Sequence, residues 1–137
     1  MSKVIHNIAF EGMDKTGKDI IYQYVKYLGN CQYILMDRGI ISNVTYARIY
    51  NRNYNYDINQ FKDWLLVYLY CDENDWNIRC KLSNEPKINY QEHLKEFNNT
   101  VDYFRNNNFN VLTINTSHVT PYDAALLILK EINHLNS

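Results

Sequence analysis

Several features that would fix a protein's class at once are missing from this chain. No apolar run approaches the roughly 18 residues that a membrane span requires, so no membrane partner is expected. The opening Met-Ser-Lys-Val-Ile-His-Asn has no apolar stretch of the kind a secretory leader carries. Only three cysteines occur, Cys31, Cys71 and Cys80, an odd number without metal-ligand spacing. They read as buried or inert thiols of a reducing compartment, so a cytoplasmic location is expected. Basic excess is also lacking: the formal net charge is -1, and no global field argues for a nucleic-acid partner. There is no internal repeat and no linker long enough to separate a pair of domains, so residues 1–137 are expected to form one domain.

What is present is a soluble composition, 46% hydrophobic and 21% charged, large enough to bury a core without staples. The 13 tyrosines, with heavy use of Asn and Ile, fit AT-rich codons. A compact phage gene or a low-GC bacterial gene would give that bias. In the phage case the location becomes the host cytoplasm, and a host protein becomes a candidate partner.

The chain is organised around residues 5–21. Ile5, Ile8, Ala9 and Phe10 read as a short buried strand that breaks at Glu11-Gly12. Gly12-Met13-Asp14-Lys15-Thr16-Gly17-Lys18 then fits G-x-x-x-x-G-K, with a helical pattern directly behind it. Glycines in such a loop let backbone N–H groups turn toward phosphate oxygens, and the helix N-terminus adds partial positive charge. Lys18 would reach the β- and γ-phosphates, with Gly12, Lys15, Thr16 and Gly17 around them. Asp19 stands where a Ser or Thr would complete the motif and hold Mg²⁺.

Further along, Ile21, Tyr24, Val25 and Leu28 mark the inner face of a helix from Lys18 to Leu28, ended by Gly29-Asn30. Residues 32–36 read as a second buried strand closing on Asp37-Arg38-Gly39, with Ser42 as N-cap of a helix to about Tyr50. Residues 51–57 read as a polar, Tyr-rich loop, and 58–63 as a short helical segment. Residues 65–70 form a continuous apolar run, expected to be buried on both faces of a parallel sheet. Asp72 to Asp75 opens a helix to about Leu82, followed by a break at 83–87 that contains Pro86. A long helix over about 89–106 buries Tyr90, Leu94, Phe97, Val101 and Phe104, with His93 on the same face. Val111 to Ile114 is a last strand. Thr120-Pro121 starts a final helix to about Leu135, with Tyr122, Ala125, Leu126, Leu129 and Ile132 inward. The order β-α-β-α-β-α-α-β-α argues an α/β sandwich with ligands at the carboxyl ends of the strands, where Gly12, Asp37 and Asp72 fall.

The phosphate loop, Asp37-Arg38 and Asp72 together resemble the thymidylate kinases among the P-loop nucleoside and nucleotide kinases. Their first loop reads Phe-Glu-Gly-Leu-Asp-(Lys/Arg/Gly)-x-Gly-Lys-Thr-Thr; Phe10, Glu11, Gly12, Asp14, Lys15, Gly17 and Lys18 match it. Their second signature is Asp-Arg-Tyr, then Ser, then Tyr; Asp37, Arg38, Ser42 and Tyr46 match, with Gly39 in place of the first Tyr. The run 68–72 and Arg79 resemble the later strand and its helix more loosely. The resemblance implies a P-loop kinase-like three-layer α/β/α sandwich, with ATP and Mg²⁺ as cofactors and nucleotides as substrates. It implies that Lys18 holds the β/γ-phosphates and that Asp14 meets the acceptor's sugar hydroxyl. Lys15 would neutralise charge on the transferring phosphoryl, and Arg38 would bind the acceptor phosphate. Asp37 would sit near Mg²⁺, with Asp19 as a second candidate metal ligand, and Ser42 and Tyr46 would line the acceptor base pocket. Family members often dimerise, so a homodimer is a further expectation.

Two departures shape the functional reading. The insert that family members carry between the first helix and the Asp-Arg strand is missing, leaving a sheet of about four mainly parallel strands and little acceptor wall. The lid shrinks to about 83–87, with Arg79, Lys81 and Lys87 as its only charge. The leading expectation is a minimal kinase that moves the γ-phosphoryl of ATP to a deoxynucleoside monophosphate, dTMP-like. One alternative is a weakened or inactive kinase fold that binds a nucleotide or a host protein. Another is a deoxynucleoside kinase with Glu11 or Asp37 as base.

Overall fold

The computed structural model describes residues 4–83 and 88–137. The expected break at 83–87, with Pro86, falls largely outside the described residues, and Lys87 lies wholly outside them. In chain order the elements are β1 (Asn7–Glu11), α1 (Lys18–Leu28), β2 (Ile34–Asp37), α2 (Ile40–Ile49), a 3-10 turn (Ile58–Phe61), β3 (Trp64–Tyr70), α3 (Glu73–Ser83), α4 (Tyr90–Asn106), β4 (Asn110–Asn115) and α5 (Pro121–Leu135). The four strands form one parallel sheet in the order β2-β1-β3-β4.

Alternation along the two central strands divides the interior. Ile8 and Phe10 of β1, with Leu65, Val67 and Leu69 of β3, pack with Ile21 and Val25 of α1 and Ala125, Ile128 and Ile132 of α5. Ala9, Leu66 and Tyr68 point the other way, into a second cluster with Ile41 and Val44 of α2, Trp76 of α3 and Phe97 and Phe104 of α4. Two cores on two faces of a parallel sheet make a three-layer α/β/α sandwich. The β3 run is buried from Leu65 to Leu69, as its continuous apolarity requires.

Several local expectations change. Residues 34–37 form an edge strand with Ile34 exposed; among the described residues no strand pairs on its outer side, so it lacks the burial expected of it. Tyr24 and Leu28 of α1 face outward, and α5 buries Ala124, Ala125, Ile128 and Ile132 while Tyr122 and Leu126 stay exposed. Alanines pack where α5 lies against α1, because a small side chain allows close approach. Helix α2 begins at Ile40 with Gly39 as its N-cap, so Ser42 lies inside the helix. Thr120 caps α5 as expected, accepting from Asp123 N ahead of Pro121, and at the start of α4 Asn89 accepts from Glu92 N.

Candidate phosphate-binding site

The loop between β1 and α1 turns on two left-handed glycines, Gly12 (φ 128°) and Gly17 (φ 88°), with Lys15 also left-handed (φ 67°). At Gly12 the requirement is steric as well: a Cβ there would lie 2.2 Å from the Leu69 carbonyl oxygen of β3. Thr16 is buried and donates from Oγ1 to Met13 O at 2.9 Å. Lys18, the first residue of α1, folds back under the loop, and its Nζ donates to Gly12 O (2.9 Å) and Met13 O (2.7 Å). Burial lowers the pKa of this ammonium, while the Asp37, Glu11 and Asp19 carboxylates act to raise it.

The loop opens on a cleft of about 720 Å³ lined by Asp14, Lys15, Gly17, Lys18, Asp19, Ile20, Asp37, Arg38, Arg79 and Pro121. Four cations (Lys15, Lys18, Arg38, Arg79) and three carboxylates (Asp14, Asp19, Asp37) thus share one hollow at the carboxyl ends of the strands. Arg38, left-handed after β2, forms an ion pair with Asp14 across the cleft. Arg79 of α3 donates to Lys15 O at 2.8 Å, and Trp76 Nε1 donates to Asp14 O at 3.2 Å. Helix α3 therefore braces the loop from outside. Lys81 is exposed on α3 and does not line the cleft.

Two residues expected around an acceptor sit elsewhere. Ser42 is buried beneath the loop: its hydroxyl donates to Glu11 Oε1 at 2.9 Å and accepts from Gly12 N at 3.3 Å, so it does not face a base. Tyr46 is half-buried, edge-on to Phe97 and His93, with the Arg38 guanidinium 5.7 Å from its ring centre.

Glu11 ties the site together. It is fully buried and accepts from Gly39 N (2.5 Å), Ile41 N (2.6 Å) and the Ser42 hydroxyl. Burial raises its pKa, and these bonds at the start of α2 oppose the rise. Gly39 suits this contact, since a Cβ there would press on Ala9 Cβ at 2.9 Å and on Glu11 Oε2 at 3.3 Å. A carboxylate enclosed in this way does not reach a substrate hydroxyl, so Glu11 does not fit the base considered for a deoxynucleoside kinase. Sequence reasoning gave Trp76, Ile20 and Pro121 no place in the site. Trp76 and Pro121 come from distant parts of the chain and meet the loop only through the fold.

Among the described residues no group of three or more His, Cys, Asp or Glu side chains could hold a metal ion by itself. Asp19 and Asp37 nonetheless line the same cleft beside Lys18. That is the hard-oxygen set Mg²⁺ takes when substrate phosphates and water complete its shell, so the residues present fit the ion.

No protein-family profile matches the sequence, and no curated protein does. Solved structures do. The chain is similar to the YorR protein of Bacillus subtilis, solved in complex with phosphorylated GDP, at 15% identity and a TM-score of 0.63 over 96% of this chain and 99% of that one. It is also similar to thymidylate kinase from Candida albicans, at 12% identity and a TM-score of 0.55 over 98% of this chain and 94% of that one. At such identities the likeness speaks to the fold: a P-loop kinase-type α/β sandwich.

Proposed function

We propose that this chain is a minimal nucleotide kinase, taking a nucleoside triphosphate with Mg²⁺ at the loop of residues 12–19 and a deoxynucleoside monophosphate at Arg38. One observation carries the reading: the cleft that opens over Lys18 also holds Arg38 and Arg79, two guanidiniums suited to a second phosphate and to the transferring group. In the reaction the bond from the γ-phosphorus to its bridging oxygen breaks, and an acceptor phosphate oxygen forms the new bond. ADP leaves when ATP is the donor. Lys18 and the N–H groups at the start of α1 bind the donor phosphates, and Lys15 offsets charge on the moving phosphoryl. Asp14 releases Arg38 to the acceptor phosphate and takes the sugar hydroxyl. Mg²⁺, when bound, would be held by Asp19 and Asp37 and would supply charge neutralisation to the donor phosphates. A thymidine-like acceptor and ATP as donor are the specific forms of this proposal.

A second reading is favoured by one feature, the closed ion pair between Asp14 and Arg38, beside which Asp19 adds negative charge to the phosphate end. On that reading the fold binds a nucleotide or a host protein without turnover. Thermal shift with ATP, ADP, dTMP and the other deoxynucleoside monophosphates, with and without Mg²⁺, separates the two. Ligand at about 100 times its Kd adds roughly 2.7 kcal/mol. A Mg²⁺-dependent ATP shift together with monophosphate-dependent ADP production supports the kinase, and Lys18→Ala should abolish both. A nucleotide shift without ADP production would leave a nucleotide-binding module, and absence of any nucleotide shift would leave a host-protein-binding one.

A further inference from the structure

One surface runs outward from the edge of the phosphate cleft. Between Asp37 and Asp57 lie 19 residues, 38–56, without a single Asp, Glu, Lys or His, yet with three arginines (Arg38, Arg48, Arg52), four tyrosines (Tyr46, Tyr50, Tyr54, Tyr56) and four asparagines. The chain as a whole carries -1, but this segment carries only positive charge.

The fold turns the segment into a ladder. The Arg38 guanidinium, at the cleft, lies 5.7 Å from the Tyr46 ring centre. Tyr46 of α2 and Tyr50, the residue that caps its C-terminus one turn on, stack at 6.0 Å with their planes 15° apart. The Arg52 guanidinium lies 5.2 Å over Tyr50. Just beyond, Tyr54 and Tyr56 stack at 5.8 Å and 18°, and together with Arg48 line a hollow of about 350 Å³. Tyr50 is 49% exposed, Tyr54 47% and Tyr56 44%, so all three rings reach solvent. Glu96 of α4 pairs with Arg48 and Asp14 pairs with Arg38, whereas no carboxylate among the described residues pairs with Arg52.

Flat rings alternating with guanidiniums are the chemistry that holds a single strand of nucleic acid: each base stacks on a ring or a guanidinium plane, and the cations track the phosphates between. A lone mononucleotide offers one base and would use one rung. We propose that the 38–56 face binds single-stranded nucleic acid along a track that begins at Arg38 and runs out over Tyr50 and Arg52. The track shares Arg38 with the acceptor site proposed above, but Tyr50 and Arg52 lie beyond it and strand binding needs no turnover.

The test is fluorescence anisotropy of the full chain with a 3′-labelled mixed-sequence single strand of about 12 nucleotides, a length within known site sizes, in DNA and RNA forms. Saturable binding at low salt is expected, with duplex of the same sequence bound more weakly. Tyr50→Ala should raise Kd about fivefold to a hundredfold, while Tyr50→Phe, which keeps the ring, should stay near wild type. Arg52→Gln should flatten the dependence of log K on log salt by about 0.7. These residues are exposed, so the variants should fold. Absence of strand binding by the wild type overturns the proposal. So does binding unaffected by Tyr50→Ala and Arg52→Gln, or a polyglutamate peptide that competes as well as the strand. A wild-type chain that binds the strand but shows no ATP-induced thermal shift keeps this surface and loses the kinase reading. The converse pattern removes the surface and leaves the kinase.

Discussion

Replacing Asp19 should move two observables in opposite directions. Asp19 is exposed in the first turn of α1 and lines the cleft next to Lys18. Two unit charges about 4 Å apart interact by about 1 kcal/mol in bulk water and about 4 kcal/mol at an effective dielectric of 20. An exposed carboxylate belongs near the lower value, so repulsion of donor phosphates is on the order of 1–2 kcal/mol, about five- to thirtyfold in Kd. Asp19→Asn removes the charge, and Asp19→Thr also restores a hydroxyl that can ligate Mg²⁺. Both should tighten ATP by that factor. Both should also lower the stability of the ligand-free chain by about 0.3–1 kcal/mol, because an acid in the first turn favours the helix macrodipole. Isothermal titration of ATP with Mg²⁺ and with chelator, beside unfolding of the ligand-free proteins, reads both effects. Tightening by Thr but not Asn would make the hydroxyl, rather than the charge, the controlling term. Folded variants that bind no tighter than wild type would refute the electrostatic argument. Weaker binding confined to the Mg²⁺ titration would instead assign Asp19 to the metal.

Other consequences follow from single contacts. Gly12→Ala sets a Cβ against the Leu69 carbonyl of a central strand at a φ that L residues avoid; calorimetry should show a loss of roughly 2–4 kcal/mol, and a variant as stable as wild type would contradict the geometry. Trp76→Phe keeps a ring against Tyr90 but deletes the N–H that holds Asp14 O. Stability should fall by only about 0.5–1.5 kcal/mol while ATP affinity drops several-fold, and unchanged affinity would deny the brace a role. His93 is buried against Tyr46 and Tyr50, its Nδ1 is unpartnered, and burial lowers its pKa below 6.5 despite the opposing charge of Glu92. The unfolded chain then binds the proton more tightly, so the contribution of His93 to stability is present above pH 6.5 and is lost as pH falls below it. His93→Phe should flatten the Tm profile in that acid window; a profile parallel to wild type would refute it.

The legible parts of the fold are those decided by local chemistry. The run 65–70 announced a strand buried on both faces, and Thr120-Pro121 announced a helix start, because apolar continuity and capping act over a few residues. Residues 34–37 are as apolar as a central strand, and only the sheet order makes them an edge. In α5, Ala125 and Ile132 are buried as expected, whereas Tyr122 and Leu126 misled: both are exposed, and Ala124 and Ile128 meet the core. The site divides in the same way. The loop of residues 12–18 could be read from spacing alone, whereas the pairing of Arg38 with Asp14 and the brace from Trp76 join residues 24 and 62 positions apart.

Ser42 shows why such distant contacts matter for the chemistry. Its type and place suggested a helix cap, a local role. Helix α2 instead starts two residues earlier and carries no side-chain cap of its own, because Glu11, from the end of β1, accepts the N–H groups of Gly39 and Ile41. Ser42 is then drawn under the loop, where it connects Glu11 to Gly12 N. The two walls of the cleft, the phosphate loop and the turn that carries Asp37 and Arg38, are thereby held to one buried carboxylate that touches neither phosphate nor metal. Moving that carboxylate would shift Lys18 and Arg38 relative to each other, and their separation decides whether donor and acceptor phosphates can meet in line. On the proposed kinase reading, the spacing between donor and acceptor would therefore be set by a residue outside the cleft.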